Sequence, residues 1–375
     1  MFTPLTIAHL PPELLALIFT FADCGRSSPK SLISLALVSK SWRSIVFSHP
    51  RLWTAFTATP KTPLKTLHTW FSHARDFPRS LTMSMDAFRP SKREGDALTE
   101  YLVGCPHWVA LRFEYALKSG MMYGGDTWEW PQALFVTAQR ASRHGACWPM
   151  LESLTVDAET VRTNMRDINP VSLATIAPNL RHLSLKFRTS IDGHVHLLAK
   201  HLQNIQQLRS LQLDAQMSWR NDRLPDFFFH LIVHGANLQT LKLLDHRTTK
   251  VIPDFNFTPS IPSFPATNSS LQHLTLHDSP AIRWCLKHLR LPALESLTLS
   301  EADHDNIVSS DMHPETLDTV IQQLVAQSGC KLKRLRLENT NVSDVQLVEV
   351  LKTVGSTLEE LELEFTSNSH LQSTG

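Results

Sequence analysis

The chain has 375 residues, 42% of them hydrophobic, and a formal net charge of +1. That balance excludes the broad basic field of a nucleic-acid binder. No run approaches the ~18 consecutive apolar residues of a membrane-spanning helix.

Residues 9 to 56 read as a compact unit of three helices. Leu14 to Ala22 is an apolar run that a signal peptide would also show. However, no basic residue precedes Arg26, and Pro11-Pro12-Glu13 sits directly before the run. Pro12 suits a first helical turn, where its missing N–H costs nothing, and Glu13 complements the helix dipole there. The run is therefore expected to be a folded helix, and the protein intracellular, in cytoplasm, nucleus or both. A second helix follows Pro29 over Leu32 to Val38. Ser39 is positioned as the N-cap of a third helix carrying Trp42, Ile45 and Val46. So many large apolar side chains exceed what fewer than fifty residues readily bury, which leaves an apolar face for the rest of the chain or for a partner.

Beyond this unit the pattern loosens. Leu67, Trp70, Phe71 and Ala74 fall on one face of a predicted helix. Leu81, Met83 and Met85 alternate as in a strand, a helix is predicted over 94–103, and Trp108, Leu111 and Phe113 mark another strand. Two long interruptions stand out. Residues 114–148 hold Gly120, Gly124, Gly125, Trp128 and Trp130. Residues 246–268 hold Pro253, Pro259, Pro262 and Pro265 with three phenylalanines, and are expected to form a mobile flap.

From residue 151 onward one phrase recurs eight times, Leu-x-x-Leu-x-Leu with Val156 replacing one leucine. Its first leucines stand at 151, 180, 208, 238, 271, 294, 332 and 358, so the repeat is 23 residues at its shortest (271 to 294) and 38 at its longest (294 to 332). This is the leucine-rich-repeat signature. It predicts an α/β-repeat fold: an irregular solenoid, or horseshoe, whose strands line a concave face. The leucines point inward and the residues alternating with them point to that face. His273 with His277, and Arg334 with Arg336, are thereby singled out as substrate-binding candidates, each pair ~7 Å apart at strand spacing. Such arginines suit a carboxylate or phosphate on an acidic or phosphorylated substrate segment, unless Glu338 and Glu360 to Glu364 neutralise them. The expected organisation is a three-helix domain over 1–58, a linker with degenerate repeats and an insertion over 59–148, repeats over 149–368 and a disordered tail over 369–375.

Sequence motifs for catalysis are missing: there is no Walker loop, His-Glu-x-x-His or Gly-x-Ser-x-Gly. Cys285-x-x-His288 and His144-x-x-Cys147 each offer half a zinc site without a second pair, so no metal or cofactor is expected. The five cysteines are scattered and odd in number, as suits buried reduced thiols. The glycosylation-like triplets at Asn256, Asn268 and Asn341 are read as chance matches.

The N-terminal unit resembles an F-box. It carries Leu10-Pro11-Pro12-Glu13, then Ile18-Phe19, then Leu35-Ala36-Leu37-Val38-Ser39-Lys40-Ser41-Trp42-Arg43, and closes on Leu52-Trp53. An F-box followed by leucine-rich repeats is an arrangement recurrent among fungal proteins. The resemblance implies docking on the Skp-type adaptor of a cullin–RING ubiquitin ligase through Leu10, Pro11, Glu13, Leu14, Ile18, Leu35, Val38 and Trp42. It further implies a non-catalytic subunit that holds a substrate protein on its repeats, with no nucleic acid and no membrane involved. The alternative is a protein-binding scaffold unconnected with ubiquitination.

Overall fold

The structure is a computed structural model that describes residues 7, 10–23, 29–59, 61–84, 92–114, 130–158, 171–190, 206–216, 223–245, 265–277, 280–300, 316–338 and 342–364. It divides into two compact units, one of residues 1–157 and 175–180, the other of residues 158–174 and 181–375.

The first unit opens with α1 (Pro12–Asp23), α2 (Pro29–Val38) and α3 (Lys40–Ser48). The start signals act as expected: Pro12 begins α1, and the Ser39 side chain accepts the N–H of Trp42 at 3.1 Å to cap α3. Leu15, Ala16, Phe19, Leu32, Ala36, Ile45 and Val46 form the inner faces of these helices. A 3-10 turn, Pro50–Trp53, leads into β1 (Ala55–Ala58). Then follow α4 (Leu64–His73), β2 (Arg79–Ser84), α5 (Lys92–Gly104), β3 (Trp108–Glu114), α6 (Trp130–Ala141) and β4 (Ser153–Ala158); α7 (Val171–Ile176) is divided between the two units after Ala174. Strands β1 to β4 pair in parallel in sequence order. Because each strand buries alternate residues, Leu81, Met83, Leu111, Phe113, Leu154 and Val156 all lie inside.

The expected interruption at 114–148 is corrected by this unit. Residues 115–129, with Gly120, Gly124, Gly125 and Trp128, lie outside the described residues. The remainder is core: α6 buries Leu134, Phe135 and Ala138, and Trp148 is fully buried. The carbonyl of Leu102 accepts both the Trp108 indole N–H at 3.0 Å and the Trp148 indole N–H at 2.9 Å. Those two bonds stitch the end of α5 to the start of β3 and to the turn that precedes β4, leaving neither indole donor unpaired.

The second unit contains β5 (His182–Ser190), β6 (Ser210–Gln216), α8 (Arg223–His234), β7 (Thr240–Asp245), β8 (Ala266–Thr267), β9 (His273–His277), α9 (Pro280–Leu286), β10 (Leu289–Arg290), β11 (Ser296–Ser300), α10 (Leu317–Ser328), β12 (Arg334–Glu338), α11 (Asp344–Val354) and β13 (Glu360–Glu364). Its main sheet is parallel in the order β5-β6-β7-β9-β11-β12-β13. Register places leucine opposite leucine, for example Leu241 against Leu274, Leu274 against Leu297 and Leu297 against Leu335. Within this unit every signature position from Leu183 to Leu337 is buried except Leu185, which is half-buried. Each buried leucine contributes about 1.5–3 kcal/mol of transfer free energy, so a repeated phrase becomes a continuous core. This is the leucine-rich α/β repeat that the spacing predicts. Gly329 ends α10 in the left-handed region (φ 61°), its N–H bonding the Val325 carbonyl at 2.9 Å.

The proline-rich segment lies largely outside the described residues, which resume at Pro265. Its final residues are structural instead of flap-like. Ala266–Thr267 pairs in parallel with Leu289–Arg290, and Asn268 is only 3% exposed. The Asn268 amide donates to the carbonyls of Ile232 and Gly235, both at 2.9 Å, while its oxygen accepts the N–H groups of Ser270 and Leu271. One side chain therefore satisfies the end of α8 and the entry to β9.

Candidate protein-binding surfaces

Outward positions of the repeat strands form rows across the second unit. One row runs Ser210, Thr240, His273, Ser296, Arg334, Glu360; the next runs Gln212, Lys242, Thr275, Thr298, Arg336, Glu362. Half of these side chains are hydroxyls or, at Gln212, an amide, with Lys242 and Arg334 exposed and His273 half-buried among them. Burial, then Arg334 and, against the opposing pull of Glu295, Lys242 lower the proton affinity of His273. Its imidazole thus senses positive charge from both flanks.

The four sequence candidates separate here. Although β-alternation places His277 on the same side as His273, it is only 7% exposed. Asp214, at the corresponding position of β6, is buried as well, whereas Leu244 and Ser300 at that level are half-buried. Arg336 is committed to its own repeats. Its guanidinium meets Glu362 at 2.9 Å and Glu364 at 3.1 Å, and it also pairs with Glu338. Desolvation opposes its charge, but Glu338, Glu362 and Glu364 together raise its pKa above the ordinary value. Arg334 and His273 remain on the surface, and the structure adds Lys242 to them.

The second surface lies on α1 and α2. With Leu15, Ala16 and Phe19 turned inward, Leu14, Leu17, Ile18 and Phe21 stand 42–69% exposed at the i, i+3, i+4, i+7 spacing of one helical stripe. On α2, Ile33, Leu37 and Val38 are 51–69% exposed. The sequence candidates divide accordingly. Leu14, Ile18 and Val38 are exposed apolar groups, and Pro11 and Glu13 are exposed at the start of α1. Leu10, Leu35 and Trp42 are half-buried, and the Trp42 ring packs 4.8 Å from that of Phe19. Leu17, Phe21, Ile33 and Leu37 were not among the candidates. Their signal was present: α1 is apolar on both faces, which a helix with one inner face does not need.

Residues 7–58 match the family model described as F-box-like. Among solved structures, the chain resembles the leucine-rich repeat-containing protein LegL7 from Legionella pneumophila at 15% identity, over 78% of this chain and 88% of that one, with a TM-score of 0.39. No match was found among curated proteins.

The F-box-like domain is anchored to the strand that follows it. The Trp53 indole donates to the Val46 carbonyl at 2.8 Å, and its ring lies 4.6 Å from Trp70 and 4.5 Å from His73 on α4. Trp70 in turn donates to the Ala55 carbonyl of β1 at 3.1 Å and packs edge-on against Phe56. Arg43 Nε donates to the Ala36 carbonyl at 3.2 Å, joining α3 to α2. Large rings with satisfied donors make this junction a packed one.

Among the described residues no three metal-ligating side chains gather. Cys285 is fully buried, and His288 Nδ1 is engaged by the Trp284 carbonyl at 2.9 Å. Burial pushes the Cys147 thiol up to about 12, and burial followed by Asp226 raises that of Cys285, so both stay protonated. No described helix is long and apolar enough to cross a membrane.

Proposed function

We propose that this chain is the substrate-recognition subunit of a cullin–RING ubiquitin ligase, joining the Skp-type adaptor through its F-box-like domain and holding a substrate protein on its leucine-rich repeats. The observation that carries the reading is the apolar stripe Leu14, Leu17, Ile18, Phe21, continued by Ile33, Leu37 and Val38, within residues that match an F-box-like model. A folded domain does not leave seven large apolar side chains on two adjacent helices without a use for them. The contribution of such a subunit to ubiquitin transfer is proximity: it presents lysines of the bound protein to a separate conjugating enzyme. Co-purification tests the reading: the chain should bring down adaptor and cullin together, and failure to do so refutes it.

The exposed Lys242 and Arg334, flanking His273 among serine and threonine hydroxyls, favour an acidic or phosphorylated segment as the bound part of the substrate. Reversing both, Lys242→Glu with Arg334→Glu, is expected to cut substrate capture at least tenfold at low salt, where screening is least, and leave adaptor binding unchanged. Capture that survives in pull-downs of the folded double variant places recognition elsewhere. Arg336→Glu is a different experiment, because it sets a fourth carboxylate among Glu338, Glu362 and Glu364 and lowers stability instead.

A further inference from the structure

The last described repeat is built differently from those before it. On β12, Leu335 and Leu337 are buried; their register partners on β13 are Leu361, 38% exposed, and Leu363, half-buried. On α10, Leu317, Val320, Ile321 and Leu324 are buried, whereas α11 exposes Val345 at 73% and Val348 at 50%. Repeat arrays are ordinarily closed by a unit with a polar outer side. Here the apolar pattern continues into a repeat that has no neighbour among the described residues.

The backbone of β13 is open on the same flank. The Glu360 N–H bonds to the Lys333 carbonyl at 2.9 Å, so Glu360 faces β12. In a parallel ladder alternate residues bond to opposite sides. Glu362 therefore also faces β12, and the N–H and C=O groups of Leu361 and Leu363 point to the outer edge. No described strand pairs with them. An edge whose main-chain groups have no partner among the described residues, beside a partly exposed leucine, is a template for an added strand.

Charge decides what can be added. The outward positions of β12 and β13 hold two guanidinium groups, Arg334 and Arg336, against four carboxylates, Glu338, Glu360, Glu362 and Glu364. A second copy of this chain would set glutamate opposite glutamate in a two-fold antiparallel pairing, which is destabilising. A basic strand would meet Glu360 and Glu362 as Arg334 and Arg336 do in the register of the inner edge, where β12 reads Arg334-Leu335-Arg336-Leu337.

We propose that the outer edge of β13 is a docking site for an extended segment of a partner protein in which lysine or arginine alternates with leucine, isoleucine or valine. Main-chain bonds to Leu361 and Leu363 would supply affinity, contact with Leu361 would bury apolar surface, and Glu360, which unlike Glu362 is not held by Arg336, would select a basic side chain. The site does not use the F-box-like domain; it borders the Lys242–Arg334 surface, because Glu360 is the register partner of Arg334.

The test uses the full chain and three labelled peptides: Lys-Leu-Arg-Leu-Arg-Leu, its counterpart with glutamate at the basic positions, and one with glycine at the leucines. Only the first should bind. Its binding should slow hydrogen exchange at the Leu361 and Leu363 amides by about tenfold or more. Glu360→Lys should weaken it about fivefold. Leu361→Pro should abolish it while lowering the melting temperature no further than Leu361→Ala does, since the lost N–H serves only an added strand. No binding of the first peptide, equal binding of the glycine peptide, or insensitivity to both variants overturns the proposal. So does slow exchange at Leu361 and Leu363 without peptide, which would mean that residues 365–375 already occupy the edge. A concentration-dependent dimer that Leu361→Pro dissolves would give the edge to a second copy and overturn it equally.

Discussion

Replacing Leu14 and Ile18 together with aspartate should cost adaptor binding about 2–4 kcal/mol or more, a loss of at least ~30-fold, with the fold intact. Both side chains lie on the outer stripe of α1, and neither belongs to the inner face made by Leu15, Ala16 and Phe19. Charges placed there stay in water in the free protein and become buried and unpaired only in a complex. The contrast with Phe19→Asp is informative, because Phe19 is buried and its loss should unfold the domain. Binding measured by titration calorimetry, beside melting curves of both variants, separates the two effects. An unchanged affinity for the folded Leu14/Ile18 variant would mean that the adaptor does not use this face.

The largest stability loss is expected at Trp148. Truncation to alanine removes a fully buried indole from the first unit and should cost about 3–5 kcal/mol, read by chemical denaturation. Trp148→Phe should cost far less, about 1 kcal/mol, because the Leu102 carbonyl keeps the Trp108 N–H at 3.0 Å. A mild effect of Trp148→Ala would show that the 130–148 stretch is dispensable, as a surface loop would be.

That expectation runs against the plain reading of the sequence, and the reason is local. Glycines and tryptophans at 120–130 suggest an irregular segment, although Leu134, Phe135 and Ala138 carry helical spacing a few residues later. A single short helix offers too few turns for periodicity to outweigh such neighbours. The repeats were legible because leucine recurs at fixed positions, and each copy reinforces the rest. The inner and outer faces of α1 were legible only together: Ile18 and Phe19 are adjacent in the motif, yet one is exposed and the other buried.

The repeat surface was read less completely. Alternation gives the direction of a side chain but not what lies above it, so His277 was expected on the face and is buried instead. Arg336 shows the opposite case. Aligning the repeats sets residue 336 against 362, so its glutamate partners are legible in the repeat register alone. Lys242 gains its significance only from His273 and Arg334, 31 and 92 residues later (242 to 273, 242 to 334).

The central claim is that one chain couples a bound protein to a ubiquitin ligase, and the most direct measurement is ubiquitin transfer in a reconstituted reaction. Proteins captured from a lysate by the full chain are presented with adaptor, cullin, RING subunit, activating and conjugating enzymes and ubiquitin. Ubiquitin conjugation to captured proteins is expected with the intact chain, and its loss with the Leu14/Ile18 aspartate variant, which should capture the same proteins equally well. Conjugation that is absent with the intact chain, or undiminished by the variant, would contradict it.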